Sequence, residues 1–129
     1  MTDIELLTIP LLDEGTIQAM SDDVGSDICW QLTHVFIREL QQLLQKIRIA
    51  TEQQQTLDII DAVHILKNSA ALYGASRLAF ISNELHEAPL LTPTQRLQLT
   101  DNLIEIGHQT LLLYQDRFAE PAIRNNLHE

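Results

Sequence analysis

"DAVHILKNSAALYGASRL", residues 61–78, decides the fold. Val63, Leu66, Ala70 and Tyr73 recur in steps of three and four, and Ile59 extends the series upstream. That period belongs to a helix with one buried face. Gly74 then interrupts the pattern, and Leu78 opens a second run with Ile81 and Leu85. The stretch therefore reads as a helix, a glycine stop and a second helix over residues 76–87. His64 stands one position past the core residue Val63, at the boundary toward solvent. Residues at i−4, i+3, i+4 and i+7 share its face, which are Ile60, Lys67, Asn68 and Ala71. Three readings of this histidine are open: a polar residue held by its neighbours, a metal ligand, or a nucleophile facing solvent.

Working outward, a long helix over 27–50 precedes the stretch. Leu32, Val35, Phe36, Leu40, Leu43, Leu44 and Ile47 supply its apolar stripe, with Arg38, Gln41, Gln42 and Gln45 opposite. Ser26 or Asp27 is the predicted cap after the turn "SDDVGSD", and Thr56 caps the helix that carries His64. Upstream, Asp13 caps a short helix to about residue 22. Residues 1–12 form an arm whose Ile4, Leu6, Leu7, Ile9 and Leu11 cover a hydrophobic groove, and Pro10 stops any helix there. Downstream, Thr92, Pro93 and Gln95 make a capping box after the loop "APLLTPTQ". The last helix runs to about Phe118 on Leu99, Leu103, Ile106, Thr110, Leu113 and Tyr114. Residues 119–129 are a polar tail. Together these predict an all-α fold, an up-down antiparallel four-helix bundle over 13–118 with a short extra N-terminal helix.

The 129 residues suit one domain, and 45% hydrophobic content supplies a core built on Leu, Ile and Ala, since aromatics reach only 5%. With 18 acids against 8 bases, the net charge of −10 repels phosphate backbones and anionic membranes. Nucleic acid and membrane are excluded as partners on that ground. Cys29 is the single cysteine, so no internal disulfide forms. The acidic N-terminus is not a secretory signal, and no apolar run nears the roughly 20 residues a membrane span needs. A cytoplasmic protein is the resulting expectation.

On its own helix face His64 meets one cation, one amide and two apolar residues, and no carboxylate that would keep it cationic. Free histidine has a pKa of about 6.5, so a neutral imidazole with a free nitrogen predominates in the cytoplasm. That nitrogen attacks phosphorus without a separate base. Lys67, one turn away, reaches the phosphoryl oxygens and offsets their charge. No GxxxxGK[ST] and no Gly-rich nucleotide loop is present, so the phosphoryl group comes from another protein.

"AVHILKNSAALYGASRL" resembles the motif of the histidine phosphotransfer (HPt) domain family, roughly AHxLKGSAxxxGAxxL. His64 matches the phosphorylated histidine, and Leu66, Lys67, Ser69, Ala70, Gly74, Ala75 and Leu78 match in order. The likeness extends over about residues 11–118. Asn68 departs from the usual Gly, and Val63 from the common Ala. A Gln that holds the second imidazole nitrogen in several members corresponds to His86 here. The resemblance implies a phosphorelay carrier of bacterial two-component signalling, free-standing and monomeric. His64 takes a phosphoryl group from the receiver-domain aspartate of a hybrid sensor kinase and passes it to that of a response regulator. It also implies no enzyme activity, no metal and no cofactor in this chain, the Mg²⁺ belonging to the receiver. Docking is placed on Ile60, Asn68 and Ala71 beside Lys67. The alternative function is an HPt-shaped helical module that binds a kinase or receiver without transfer.

The blander readings sit beside these. Gly74 is a helix terminator needing positive φ, Ser69 a packing residue, and Arg77 a side chain that snorkels or pairs with an acid. Cys29 and Trp30 are partly buried. His34, His86, His108 and His128 show no helical His-x-x-x-His spacing, so no metal site is predicted.

Overall fold

The computed structural model describes residues 3–87 and 90–119. The predicted loop residues 88 and 89, the tail from 120 onward with His128, and the side chain of Ile4 lie outside the described residues. Six helices follow one another: α1 (Asp3–Leu7), α2 (Glu14–Val24), α3 (Ser26–Glu52), α4 (Thr56–Leu72), α5 (Ser76–Glu87) and α6 (Pro93–Arg117). α4 packs against α3 and α5, and α6 packs against the same two, so the four longer helices close a ring. α2 lies on α3 outside it.

Two short helices precede the ring, where one was predicted, because the arm itself contains α1. Thr8 closes that helix ahead of Pro10, its hydroxyl and its N–H both donating to the Glu5 carbonyl, at 2.6 and 3.2 Å. Asp13 caps α2 as predicted, its carboxylate accepting from Gly15 N–H at 2.9 Å. Two of the other three predicted caps shift. Gly25, at φ +91°, precedes α3, so Ser26 and Asp27 lie in its first turn, where Asp27 favours the positive helix end. Gln55 precedes α4, and Thr56 is already helical. The capping box of α6 forms in full, with Thr92 Oγ1 accepting from Gln95 N–H at 3.1 Å and Gln95 Oε1 from Thr92 N–H at 3.0 Å.

The core stripe of α3 is rotated from the predicted one. Leu32 and Val35 are exposed at 38% and 49%, whereas Cys29, Thr33 and Ile37 face inward with Phe36, Leu40, Leu43, Leu44 and Ile47. Thr33 is buried because its hydroxyl donates to the Cys29 carbonyl at 2.8 Å and leaves only its methyl to pack. Thr100 and Thr110 on α6 do the same to the carbonyls four residues earlier, each at 2.7 Å. Leu113 is exposed instead, and Leu99 is half-buried. Gly107 lets α6 approach α3, since a Cβ there would strike the side chain of Leu44.

Phe36 links the ring's walls, stacking on Tyr73 at 4.9 Å and meeting Tyr114 edge-on at 5.4 Å. Tyr114 donates its hydroxyl to the Tyr73 carbonyl at 2.8 Å, which satisfies the group in the core. Burial raises its pKa well above the usual phenol value. Cys29 is fully buried rather than partly so, while Trp30 is half-buried with its ring 4.0 Å from that of His34.

Candidate functional site

Burying Ile59, Ala62, Val63, Leu66 and Ala70 fixes which face of α4 remains outside. His64, Asn68 and Ala71 are exposed on that face, with Ile60 and Lys67 half-buried beside them. Gly74 then turns the chain at once into α5. It adopts φ +81°, a region costly for any residue with a Cβ. Ala75 N–H reaches back to the Ala70 carbonyl at 2.9 Å and completes the helix end. The close return brings α5 alongside His64.

Four side chains from the two helices meet there. His64 Nδ1 lies 3.1 Å from His86 Nε2, with the two rings 4.7 Å apart and tilted by 34°. Glu87 Oε1 accepts from Lys67 Nζ at 3.4 Å and lies 3.4 Å from His86 Nδ1. The latter approach is within ion-pair distance but outside hydrogen-bond geometry, and His86 Nδ1 is buried with no hydrogen-bond partner. The Lys67 ammonium, and after it the His86 ring, hold the Glu87 carboxyl below the ordinary carboxylate range. A carboxylate beside His86 Nδ1 favours the proton on that nitrogen, which makes Nε2 the acceptor. With that tautomer His64 donates from Nδ1, which leaves the lone pair of its ring on Nε2. The arrangement sets an exposed imidazole one helical turn from an ammonium.

His64, Lys67 and His86 are thus brought together. Ile60 lies on the same face, and Lys67, Asn68 and Ala71 border a shallow groove completed by Ile9, Ser76, Ala79, Phe80 and Asn83. The acid-free surroundings predicted for His64 do not hold, because α5 adds Glu87 and Asp61 stands three residues before His64 on α4 itself. No helical spacing within one segment signals the Glu87 contact. Two blander readings are also corrected. Ser69 donates to Glu39 across the α3–α4 seam rather than only filling space. Arg77 binds backbone: its guanidinium donates to the Ile9 and Leu7 carbonyls at 2.8 and 3.2 Å, and its own N–H to the Pro10 carbonyl at 2.9 Å. It fastens the arm beside the groove. His34 is engaged by the Phe118 carbonyl at 2.7 Å, and His108 meets Arg48. Among the described residues no three His, Cys, Asp or Glu side chains converge as a metal site.

The chain that folds this way matches the Hpt domain family over residues 31–128, and it belongs to that family. It is a phosphorelay protein of the two-component type. Within the class it is similar to the phosphorelay protein LuxU of Vibrio vulnificus. The LuxU chains of strains YJ016 and CMCP6 are each 30% identical to it over an alignment of 108 residues that covers 81% of this chain and 91% of the relative. No solved structure matches. The family match begins on α3, so α1, α2 and the Arg77-bound arm add to what it covers. No described helix is long and apolar enough to cross a membrane.

Proposed function

We propose that His64 carries the phosphoryl group, accepting it from the receiver-domain aspartate of a hybrid sensor kinase and delivering it to the receiver aspartate of a response regulator. The observation that carries this reading is the engagement of His64 Nδ1 by His86 Nε2 at 3.1 Å on an exposed face, which leaves Nε2 as the free nucleophile. The Nε2 lone pair forms the P–N bond while the P–O bond to the aspartate breaks, its electron pair leaving with the carboxylate. Lys67 offsets charge on the transferring oxygens. The Mg²⁺ and the acidic pocket belong to the receiver, and the chain acts as a carrier rather than a kinase or ATPase. The receiver docks over Ile60, Asn68 and Ala71. The four longer helices run up and down in turn, and the protein works as a cytoplasmic monomer spanning one bundle over 13–118.

Phosphotransfer from a phosphorylated receiver to wild type and to His64→Gln tests this, with circular dichroism as the folding control. Wild type takes an acid-labile, base-stable label and the folded variant takes none. Binding of receivers by both proteins without label on either would make the bundle a binding module instead.

A further inference from the structure

His86 fills a place where a neutral amide would suffice to hold the imidazole, and it differs from an amide in being able to take up a proton. Its Nε2 is 3.1 Å from His64 Nδ1. Its other nitrogen is buried without a hydrogen-bond partner, yet a carboxylate oxygen of Glu87 lies 3.4 Å from it. A buried N–H left in that state costs stability in the neutral ring. A doubly protonated His86 would carry a full positive charge within ion-pair distance of that carboxylate. The groups facing this pair are His64 and Lys67 from α4 and Glu87 from α5. Among the described residues, no ion pair or side-chain hydrogen bond from α6 reaches either ring.

Resting on the carrier reading of His64, we infer that His86 and Glu87 form a proton-accepting pair that stores the proton exchanged during phosphotransfer. As the P–Nε2 bond of His64 forms, the Nδ1 proton of His64 passes to His86 Nε2. His86 becomes an imidazolium whose charge Glu87 balances, and the phosphorylated ring of His64 is left neutral. A neutral ring resists hydrolysis, because breaking its P–N bond would expel an imidazolate. For onward transfer the proton returns to Nδ1, the P–Nε2 bond breaks with its electron pair going to Nε2, and neutral imidazole leaves. Proton position thus separates storing the phosphoryl group from releasing it.

The test phosphorylates the full chain with phosphoramidate, whose P–N bond breaks to release ammonia as the bond to His64 forms. Phosphohistidine lifetime is then followed by phosphorus NMR from about pH 5 to about 8, the range over which imidazoles titrate, in wild type, His86→Gln and Glu87→Gln. An amide accepts the Nδ1–H without removing its proton. His86→Gln therefore shortens the lifetime near neutral pH about tenfold, equivalent to moving the lifetime-versus-pH curve up by about one unit. Glu87→Gln moves it in the same direction by less. In wild type, nitrogen-15 spectra show His86 singly protonated before phosphorylation and doubly protonated after it. An unchanged lifetime curve in both variants, or a His86 that stays singly protonated, overturns the proton-accepting role while leaving the carrier reading intact. Failure of wild type to take the phosphoryl group on His64 overturns both.

Discussion

Lys67 faces two acceptors that compete for one ammonium. At rest it donates to Glu87 Oε1 at 3.4 Å, and on the proposed carrier reading the same charge is required on the phosphoryl oxygens during transfer. Its contribution to binding is small because Glu87 is 60% exposed and the pair is solvent-screened. Its contribution to the transition state is larger, because charge there gathers where the ammonium can follow it. Lys67→Ala is expected to slow phosphotransfer about tenfold, below the loss seen for a fully enclosed donor, with receiver affinity changed much less. Rapid-quench transfer rates beside equilibrium binding check this, and an unchanged rate would remove Lys67 from the chemistry. The pair His64–Lys67 was legible in the sequence because both lie on one helix at a spacing of three. His86 was legible only through family resemblance, and Glu87 was not, since contacts between α4 and α5 depend on the angle at which the helices return.

The α4–α5 turn sets that angle, and Gly74 is its least replaceable residue. Its positive φ is one constraint. A second is the close approach of α2: Asp13 N–H donates to the Gly74 carbonyl at 2.8 Å, and a Cβ on Gly74 would stand 2.9 Å from the Asp13 carbonyl oxygen. Gly74→Ala is expected to destabilise the fold by about 2 kcal/mol, combining left-handed backbone strain with the displaced neighbour. Urea unfolding measures this, and a loss near zero would mean that α2 moves away freely. Periodicity identified α5 and the α6 capping box residue for residue, because local chemistry alone specifies them. It placed Leu32 and Val35 inward on α3 and left out Thr33, which is buried. A threonine whose hydroxyl is returned to the preceding turn packs as a small apolar residue, and α6 repeats that device at Thr100 and Thr110.

Across the whole molecule, chain segments far apart in sequence are tied at one corner. Arg117 at the end of α6 meets Glu14 at the start of α2, donating from Nε and a terminal guanidinium nitrogen at 3.0 and 3.1 Å. The Arg117 hydrogen bond holds the Glu14 carboxyl below its usual 4.5. A carboxyl lowered on folding stabilises the native state above its unfolded pKa, and that stability is lost as pH falls through the folded value. Glu14→Gln is accordingly expected to be less stable than wild type at neutral pH, by at most about 1 kcal/mol for so exposed a pair. The gap should close below pH 4.5 as Glu14 protonates. Denaturant melts of both proteins along a pH series decide it, and a gap that persists in acid would assign the loss to packing instead of charge. With a net charge of −10, such a tie also works against the self-repulsion of the rest of the surface.

The same corner holds the chain's sole tryptophan. Trp30 stacks near His34, and His34 in turn is bonded to the Phe118 carbonyl. Indole emission is sensitive to a neighbouring imidazole and to exposure to water, so the light from Trp30 registers whether the end of α6 is seated on the start of α3. His64 finds its partners on the other seam, between α4 and α5. The chain thereby carries an intrinsic fluorophore with which opening of the bundle is followed without labelling and without touching the histidine proposed to carry the phosphoryl group.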